Sequence, residues 1–284
     1  MSSEKRRRQR ENRSSRVEAA AAQQSRRRAL LTGGIVAGLA VIVMVALAFG
    51  DDDVRDDTGE RAEAAIDTTT TEPASTDQPA VETGCPAEDG SSPRTIDFDG
   101  PPQMCIDVTE THVAIFDTSE GEVRVTLDST DTPITANNFV TLARWGYYDG
   151  TTLFRTDPSI DIIQGGAPHT ESPSDPGPGY TIPDEPAFEM TADGQLIGPY
   201  RYEPGQLVMA RTFAPDSASA QFFFSTGPNT ALLDGQGVYV VFGRTDDAGL
   251  AVLQQIIGLH EPGGPLGGAP SRTVTVNSVT IEVG

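Results

Sequence analysis

Polar and apolar positions change rhythm three times along this chain. Residues 29–49 carry no charge: 21 positions rich in Ala, Val, Leu, Ile and Gly, a length that crosses a bilayer core as one helix. From 50 to 84 the apolar residues thin out into Asp, Glu, Thr, Ala and Pro, including Thr68-Thr69-Thr70-Thr71. Too little apolar surface is left there to repay ordering, so a disordered acidic linker is expected. Beyond 108, short apolar runs return between Gly, Pro, Asn and Asp. They predict strands at 111–116, 122–127, 160–164, 207–210, 221–225, 238–244 and 273–283. In the last run Val274, Val276, Val279 and Val283 alternate with polar residues, with a break expected at Asn277-Ser278. Two stretches keep helical spacing instead. Thr132 is placed to cap and Pro133 to open a helix reaching Trp145, with Phe139, Leu142 and Ala143 on one face and Gly146 ending it. A second helix is expected over 248–259, with Leu250, Leu253, Ile256 and Ile257 inward and His260 and Gly263-Gly264 terminating it. The final stretch of about 180 residues is enough for one core and one domain.

Charge sets the topology. Residues 1–28 hold ten of the chain's 20 Lys and Arg against three acids, and Asp51-Asp52-Asp53 follow the apolar run. The positive-inside bias makes 29–49 a single-pass anchor in the cytoplasmic membrane, with the basic tail 1–28 cytoplasmic and the remainder outside. A cleaved signal peptide is the alternative, since Ala46-Leu47-Ala48 fits an A-x-A site; the long leader and the 21-residue run favour the anchor. The arginines of the tail set topology and touch anionic lipid. Past residue 28 there are 38 acids and ten arginines. Such a surface repels nucleic acid and other copies of itself, so no nucleic-acid partner and a monomer are expected.

Cys85 and Cys105 are the only cysteines. Outside the membrane disulfides persist, and the two flank a loop with Gly90, Pro93, Gly100, Pro101 and Pro102. A bridge stapling an extension over 85–107 is expected; two free thiols or pairing between chains are the alternatives. His112, His169 and His260 share no face, so no metal site is assigned. The Gly- and Pro-rich stretch 165–185 lacks the strand–helix context of a phosphate loop. No cofactor is expected.

Five motifs then stand in order: Ile163-Gln164-Gly165-Gly166, Gln206-Leu207-Val208-Met209-Ala210, Gln221-Phe222-Phe223-Phe224-Ser225, Leu233-Asp234-Gly235 and Val238-Tyr239-Val240-Val241-Phe242-Gly243. Singly each has a plain structural reading. Three Phe make a buried strand, Gln before two Gly a turn, Met209 a core filler, Arg155 a solvated charge. Together, and preceded by Tyr148-Asp149-Gly150-Thr151-Thr152-Leu153-Phe154-Arg155, they resemble the cyclophilin family of peptidyl-prolyl cis–trans isomerases over about residues 108–284. The resemblance implies a mostly β fold, an eight-stranded antiparallel β-barrel capped by two α-helices, here preceded by one N-terminal transmembrane helix. It implies Arg155, Gln164 and Gln221 as catalytic residues. Phe223 would floor the substrate pocket, Met209, Leu233 and Ile162 would wall it, and the Ala210 backbone would meet the substrate. Tyr239 falls where many members have histidine. Arg211 replaces an asparagine that binds substrate backbone. Two further departures stand out: Asp161 occupies an aromatic position, and the interval from Arg155 to Gln164 is one residue longer than usual. Without an insertion Thr156 would take the arginine's place; Asp149-Gly150-Thr151-Thr152 anchors the register in favour of Arg155.

These residue types suit the chemistry. Turning an X–Pro amide means passing a barrier of ~18–20 kcal/mol without making or breaking a bond. A catalyst need only bind the twisted amide better than the planar forms, with an apolar pocket for the ring and fixed donors for the freed nitrogen lone pair. The expected function is isomerisation of proline-containing exported polypeptides; the alternative is a membrane-tethered, non-catalytic proline-peptide-binding module.

Overall fold

The computed structural model describes residues 84–284. The tail 1–28, the span 29–49 and the linker as far as residue 83 lie outside the described residues. Among the described residues no helix is long and apolar enough to cross a membrane.

The domain opens with a hairpin of β1 (His112–Thr118) and β2 (Gly121–Leu127), followed by helix α1 (Pro133–Arg144). Three short strands come next: β3 (Thr151–Thr152), β4 (Arg155–Asp157) and β5 (Ile162–Gly165). A separate two-stranded hairpin joins β6 (Glu189–Met190) to β7 (Leu196–Ile197). Then come β8 (Gln206–Met209), β9 (Phe222–Ser225), a 3-10 helix (Pro228–Gly235), β10 (Val241–Thr245) and helix α2 (Asp247–Ile257). The hairpin β11 (His260–Pro262) and β12 (Gly268–Pro270) precedes the closing strand β13 (Thr275–Val283).

Eleven of these strands form one antiparallel sheet in the order β11-β12-β4-β5-β9-β8-β10-β2-β1-β13-β3. Only Leu153 and Phe154 separate β3, at one end, from β4, near the other, so the sheet curls back toward itself. The expected mostly β, antiparallel architecture is what forms. The count exceeds eight because β3, β11 and β12, of two or three residues each, join the sheet. They read Thr-Thr, His-Glu-Pro and Gly-Ala-Pro, and hydrophobic alternation gives no hint of them.

Alternation does explain β1 and β2. Ala114 and Phe116 face inward from β1, and Val123, Val125 and Leu127 from β2. Strand β13 runs through its expected break. Asp117 pairs with Ser278 and Thr118 with Val276, so Asn277 is the extra residue of a β-bulge, which bends a strand without ending it.

The helices keep their places with changed ends. Thr132 makes no side-chain cap; its hydroxyl donates to the Asp128 carbonyl at 2.7 Å. Glu185, from a distant loop, caps α1 instead. Its carboxylate accepts the N–H groups of Ile134 at 2.9 Å and Thr135 at 2.7 Å, where the helix dipole favours negative charge. Gly146 ends α1 at φ +64°. Helix α2 is capped by Asp246, which accepts the Gly249 N–H at 2.9 Å. Leu253 and Ile256 are buried and Leu250 and Ile257 half-buried. The helix stops at Ile257, and His260 belongs to β11. In the core Phe139 of α1 and Phe116, Phe222 and Phe224 pack edge to face or tilted, with Phe116 and Phe224 centroids 5.1 Å apart, a geometry aromatic quadrupoles favour.

The extension is stapled by Cys85–Cys105, whose Cα atoms lie 5.5 Å apart. Asn137 of α1 holds it as well, accepting from the Cys105 N–H at 2.7 Å and donating to the Gln103 carbonyl at 2.9 Å. Reducing the bridge should lower unfolding free energy by roughly 3 kcal/mol, the loop-closure value for a loop of this size. Denaturant titration with and without reductant measures this, and an unchanged midpoint would contradict it.

Candidate active site

Cross-strand pairing lines up four side chains. Arg155 of β4 stands opposite Gln164 of β5, Gln164 opposite Phe223 of β9, and Phe223 opposite Val208 of β8. Directly opposed residues share a face of the sheet, so a cation, an amide, an aromatic ring and an aliphatic group form one continuous row. Arg155 Nη1 donates to Gln164 Oε1 at 2.8 Å, and Gln164 Nε2 donates to Gln221 Oε1 at 2.8 Å. Gln221 in turn donates to the Pro173 carbonyl at 3.3 Å. The three polar residues are therefore one hydrogen-bonded chain.

The register places Arg155, rather than Thr156, at the site. Thr156 is wholly buried on the other face, with its hydroxyl 2.8 Å from His260 Nδ1. The extra residue is absorbed in the turn between β4 and β5, where Asp161 takes φ +50°. That aspartate ties the turn to the 3-10 helix. Its carboxylate accepts the Asn229 N–H at 2.7 Å, and its carbonyl accepts the Thr226 N–H at 2.8 Å. Gly227 is required beside it, since a Cβ there would lie 2.5 Å from Asp161 Oδ2. In the Gln-Gly-Gly motif, a Cβ on Gly165 would meet Leu153 Cδ2 at 2.8 Å, and Gly166 holds φ +86° against the Ala220 carbonyl.

Beside the polar chain lies an apolar cluster separate from the main core. Ile162, Val208, Phe223 and Tyr202 are buried in it; Ala210, Leu233 and Tyr239 pack on it half-buried. Leu233 comes from the 3-10 helix. The Tyr239 ring stands edge-on to Phe223 with centroids 5.6 Å apart. The Ala210 N–H donates to the Gln221 carbonyl at 2.9 Å.

Two residues lie elsewhere. Met209 points into the main core; β8 alternates faces, so the residue it offers to Phe223 is Val208. Arg211 also turns away. Its side chain is 2% exposed and pairs with Asp184 at 3.3 Å. Its Nη2 donates to the Ala214 carbonyl at 2.6 Å, and its guanidinium sits 5.2 Å from the Phe188 ring centroid. It holds two loops together and presents no group beside Phe223. Val208 was findable from strand alternation once the β8–β9 register was known. Tyr202 was not: it is fixed by its hydroxyl, which accepts the Tyr239 N–H at 2.8 Å and donates to the Tyr239 carbonyl at 3.1 Å.

Burial pushes the Arg155 pKa down from its ordinary value, and the neighbouring Asp157 opposes that shift; an arginine so placed stays charged. Burial raises the Tyr239 phenol, so it remains a neutral donor. A fixed cation, two amides and an apolar cluster can orient an amide and favour a rehybridised nitrogen. They supply no nucleophile.

The family model described as "Cyclophilin type peptidyl-prolyl cis-trans isomerase/CLD" matches residues 113–281. The chain is 34% identical over 169 residues to "Probable peptidyl-prolyl cis-trans isomerase B" of Mycobacterium tuberculosis, covering 58% of this chain and 53% of that protein; it thus spans about half of that relative's length. It is 34% identical over 176 residues to "Peptidyl-prolyl cis-trans isomerase A" of Dickeya dadantii, covering 61% of this chain and 85% of that protein. A crystal structure of a Cryptosporidium parvum cyclophilin type isomerase aligns at a TM-score of 0.47 and 23% identity, covering 61% of this chain and 98% of that one. With its match over more than half of the sequence, the chain belongs to the cyclophilin-type peptidyl-prolyl cis–trans isomerase family.

Proposed function

We propose that this protein is a peptidyl-prolyl isomerase acting on proline-containing exported polypeptides outside the cytoplasmic membrane, to which residues 29–49 tether it. The observation that carries the catalytic reading is the row Arg155–Gln164–Phe223, in which a fixed cation on β4 and an aromatic floor on β9 flank the amide of β5. The proline ring rests on Phe223 between Ile162, Leu233 and Tyr239. Arg155 faces the prolyl nitrogen, whose lone pair is released as the amide twists. Gln164 and Gln221 hold the arginine and the flanking backbone. Donors fixed in advance stabilise the twisted state without reorganising during the reaction. The tether rests on the uncharged 21-residue run and the ten basic residues before it.

The test is a protease-coupled assay on an X–Pro peptide with the purified chain. Acceleration over the uncatalysed rate, unaffected by EDTA, is the expected result. No acceleration at micromolar protein, together with retained peptide binding, would establish a non-catalytic binding module instead.

A further inference from the structure

Arg155 is held from three sides, and two of the holders lie outside the row. Its Nη1 bonds to Gln164, its Nε donates to the Leu266 carbonyl at 2.6 Å, and its Nη2 donates to Asp157 Oδ2 at 3.1 Å. Asp157 lies two residues along β4 and so projects from the same face. Both side chains are mostly out of water, 14% exposed for the arginine and 12% for the aspartate. The carboxylate is itself locked. Its other oxygen accepts the Ser159 N–H at 3.1 Å and the Ser159 hydroxyl at 2.6 Å. The turn between β11 and β12 closes over the pair. Gly267, at φ +100°, passes so near that a Cβ would lie 2.9 Å from Asp157 Cβ and 2.6 Å from the Thr156 carbonyl. The glycines of 263–268 thus bring the Leu266 carbonyl onto the guanidinium.

We propose that Asp157 is a positioning residue for Arg155, fixing the plane of the guanidinium so that its remaining N–H groups point at the prolyl nitrogen. This rests on the isomerase reading above. The physical reason is that a flexible four-bond side chain stabilises a transition state only to the extent that its orientation is settled beforehand. Gln164 contacts one terminal nitrogen and the Leu266 carbonyl contacts Nε. Without Asp157 the second terminal nitrogen has no holder, and the group can rock about Nε. A planar fork, unlike an ammonium, is sensitive to such rocking.

Five proteins decide the matter: wild type, Asp157→Ala, Asp157→Asn, Arg155→Ala and the Arg155→Ala/Asp157→Ala double variant. Asp157→Ala should lower kcat by about tenfold, less than loss of the donor itself, with KM within about twofold. Asp157→Asn keeps an acceptor oxygen in the same shape and should lose less. In the Arg155→Ala background, Asp157→Ala should cost nothing more, because its effect passes through the arginine. An equal loss in both backgrounds, or a rise in kcat on removing the carboxylate, would overturn the proposal. A readout independent of turnover is the nitrogen NMR spectrum of the Arg155 guanidinium. Resolved Nη signals in wild type should merge in Asp157→Ala as rotation is freed. An unchanged spectrum refutes the positioning role even if wild type is a good isomerase. A wild type without isomerase activity refutes the reading of function, while the spectrum still reports whether Asp157 orients the arginine.

Discussion

Arg155→Ala is expected to lower kcat/KM for X–Pro isomerisation by ~10²–10³, the loss typical of one preorganised charge-stabilising donor. The fold should survive. Arg155 stands on a three-residue strand, and neither the main core nor the apolar cluster around Phe223 includes it. Arg155→Lys separates charge from geometry. A lysine restores the positive charge but cannot reach Gln164, Asp157 and the Leu266 carbonyl at once, so it should recover little. Protease-coupled kinetics on folded variants, checked by circular dichroism, give the answer. Near-full activity in Arg155→Ala would remove the arginine from the mechanism and leave the apolar cluster as a binding surface alone.

Arg211→Ala should instead damage stability, by about 3–5 kcal/mol, the usual cost of stripping one partner from a buried ion pair. Asp184 is 3% exposed and is tied to Asp216 in both directions: the Asp184 N–H donates to Asp216 Oδ1 at 2.8 Å, and the Asp216 N–H donates to Asp184 Oδ2 at 3.0 Å. Burial drives the Asp184 carboxyl above its ordinary pKa, against the pull of the Asp216 N–H and of Arg211. A carboxyl with a raised folded-state pKa binds its proton more tightly folded than unfolded, so its cost is felt as pH rises and fades as pH falls. The Arg211→Ala deficit should therefore shrink in acid. Arg211→Asn, harmless if the residue met substrate, should strand Asp184 in the same way. Adding Asp184→Ala should recover part of the loss. Denaturant midpoints at neutral and acid pH measure all of these, and an Arg211→Ala protein as stable as wild type would show that the pair contributes nothing.

Much of this arrangement was readable from the residues. Alternation in β1, β2 and β13, and the helical spacing of Phe139, Leu142, Leu253 and Ile256, reflect burial on one face, which leaves a period in the sequence. The anchor Asp149-Gly150-Thr151-Thr152 settled which residue faces Gln164. Direction was harder. A four-residue strand buried on both faces, such as β8, has no polar phase to say which side chain points where, so Met209 and Val208 could be told apart only through pairing with β9. Arg211 is not legible in the same way, because a charge next to a site motif says nothing of its partner, and Asp184 lies 27 positions away in sequence. The hairpin of β11 and β12 owes its shape to glycine conformations and to the carbonyl it offers Arg155, neither of which has a hydrophobic signature.

Strand β9 seals Phe222 and Phe224 into the main core and Phe223 into the smaller apolar cluster. The floor of that cluster should therefore share the fate of the whole domain: amide exchange along β9 is expected only when the core opens, at close to the global unfolding free energy. Leu233 rides on a 3-10 helix of which Thr230 is the only buried residue, a segment drawn from the soft end of the stability range. If the cluster takes proline rings as proposed, adaptation to different surroundings falls to the Leu233 side rather than to the Phe223 floor.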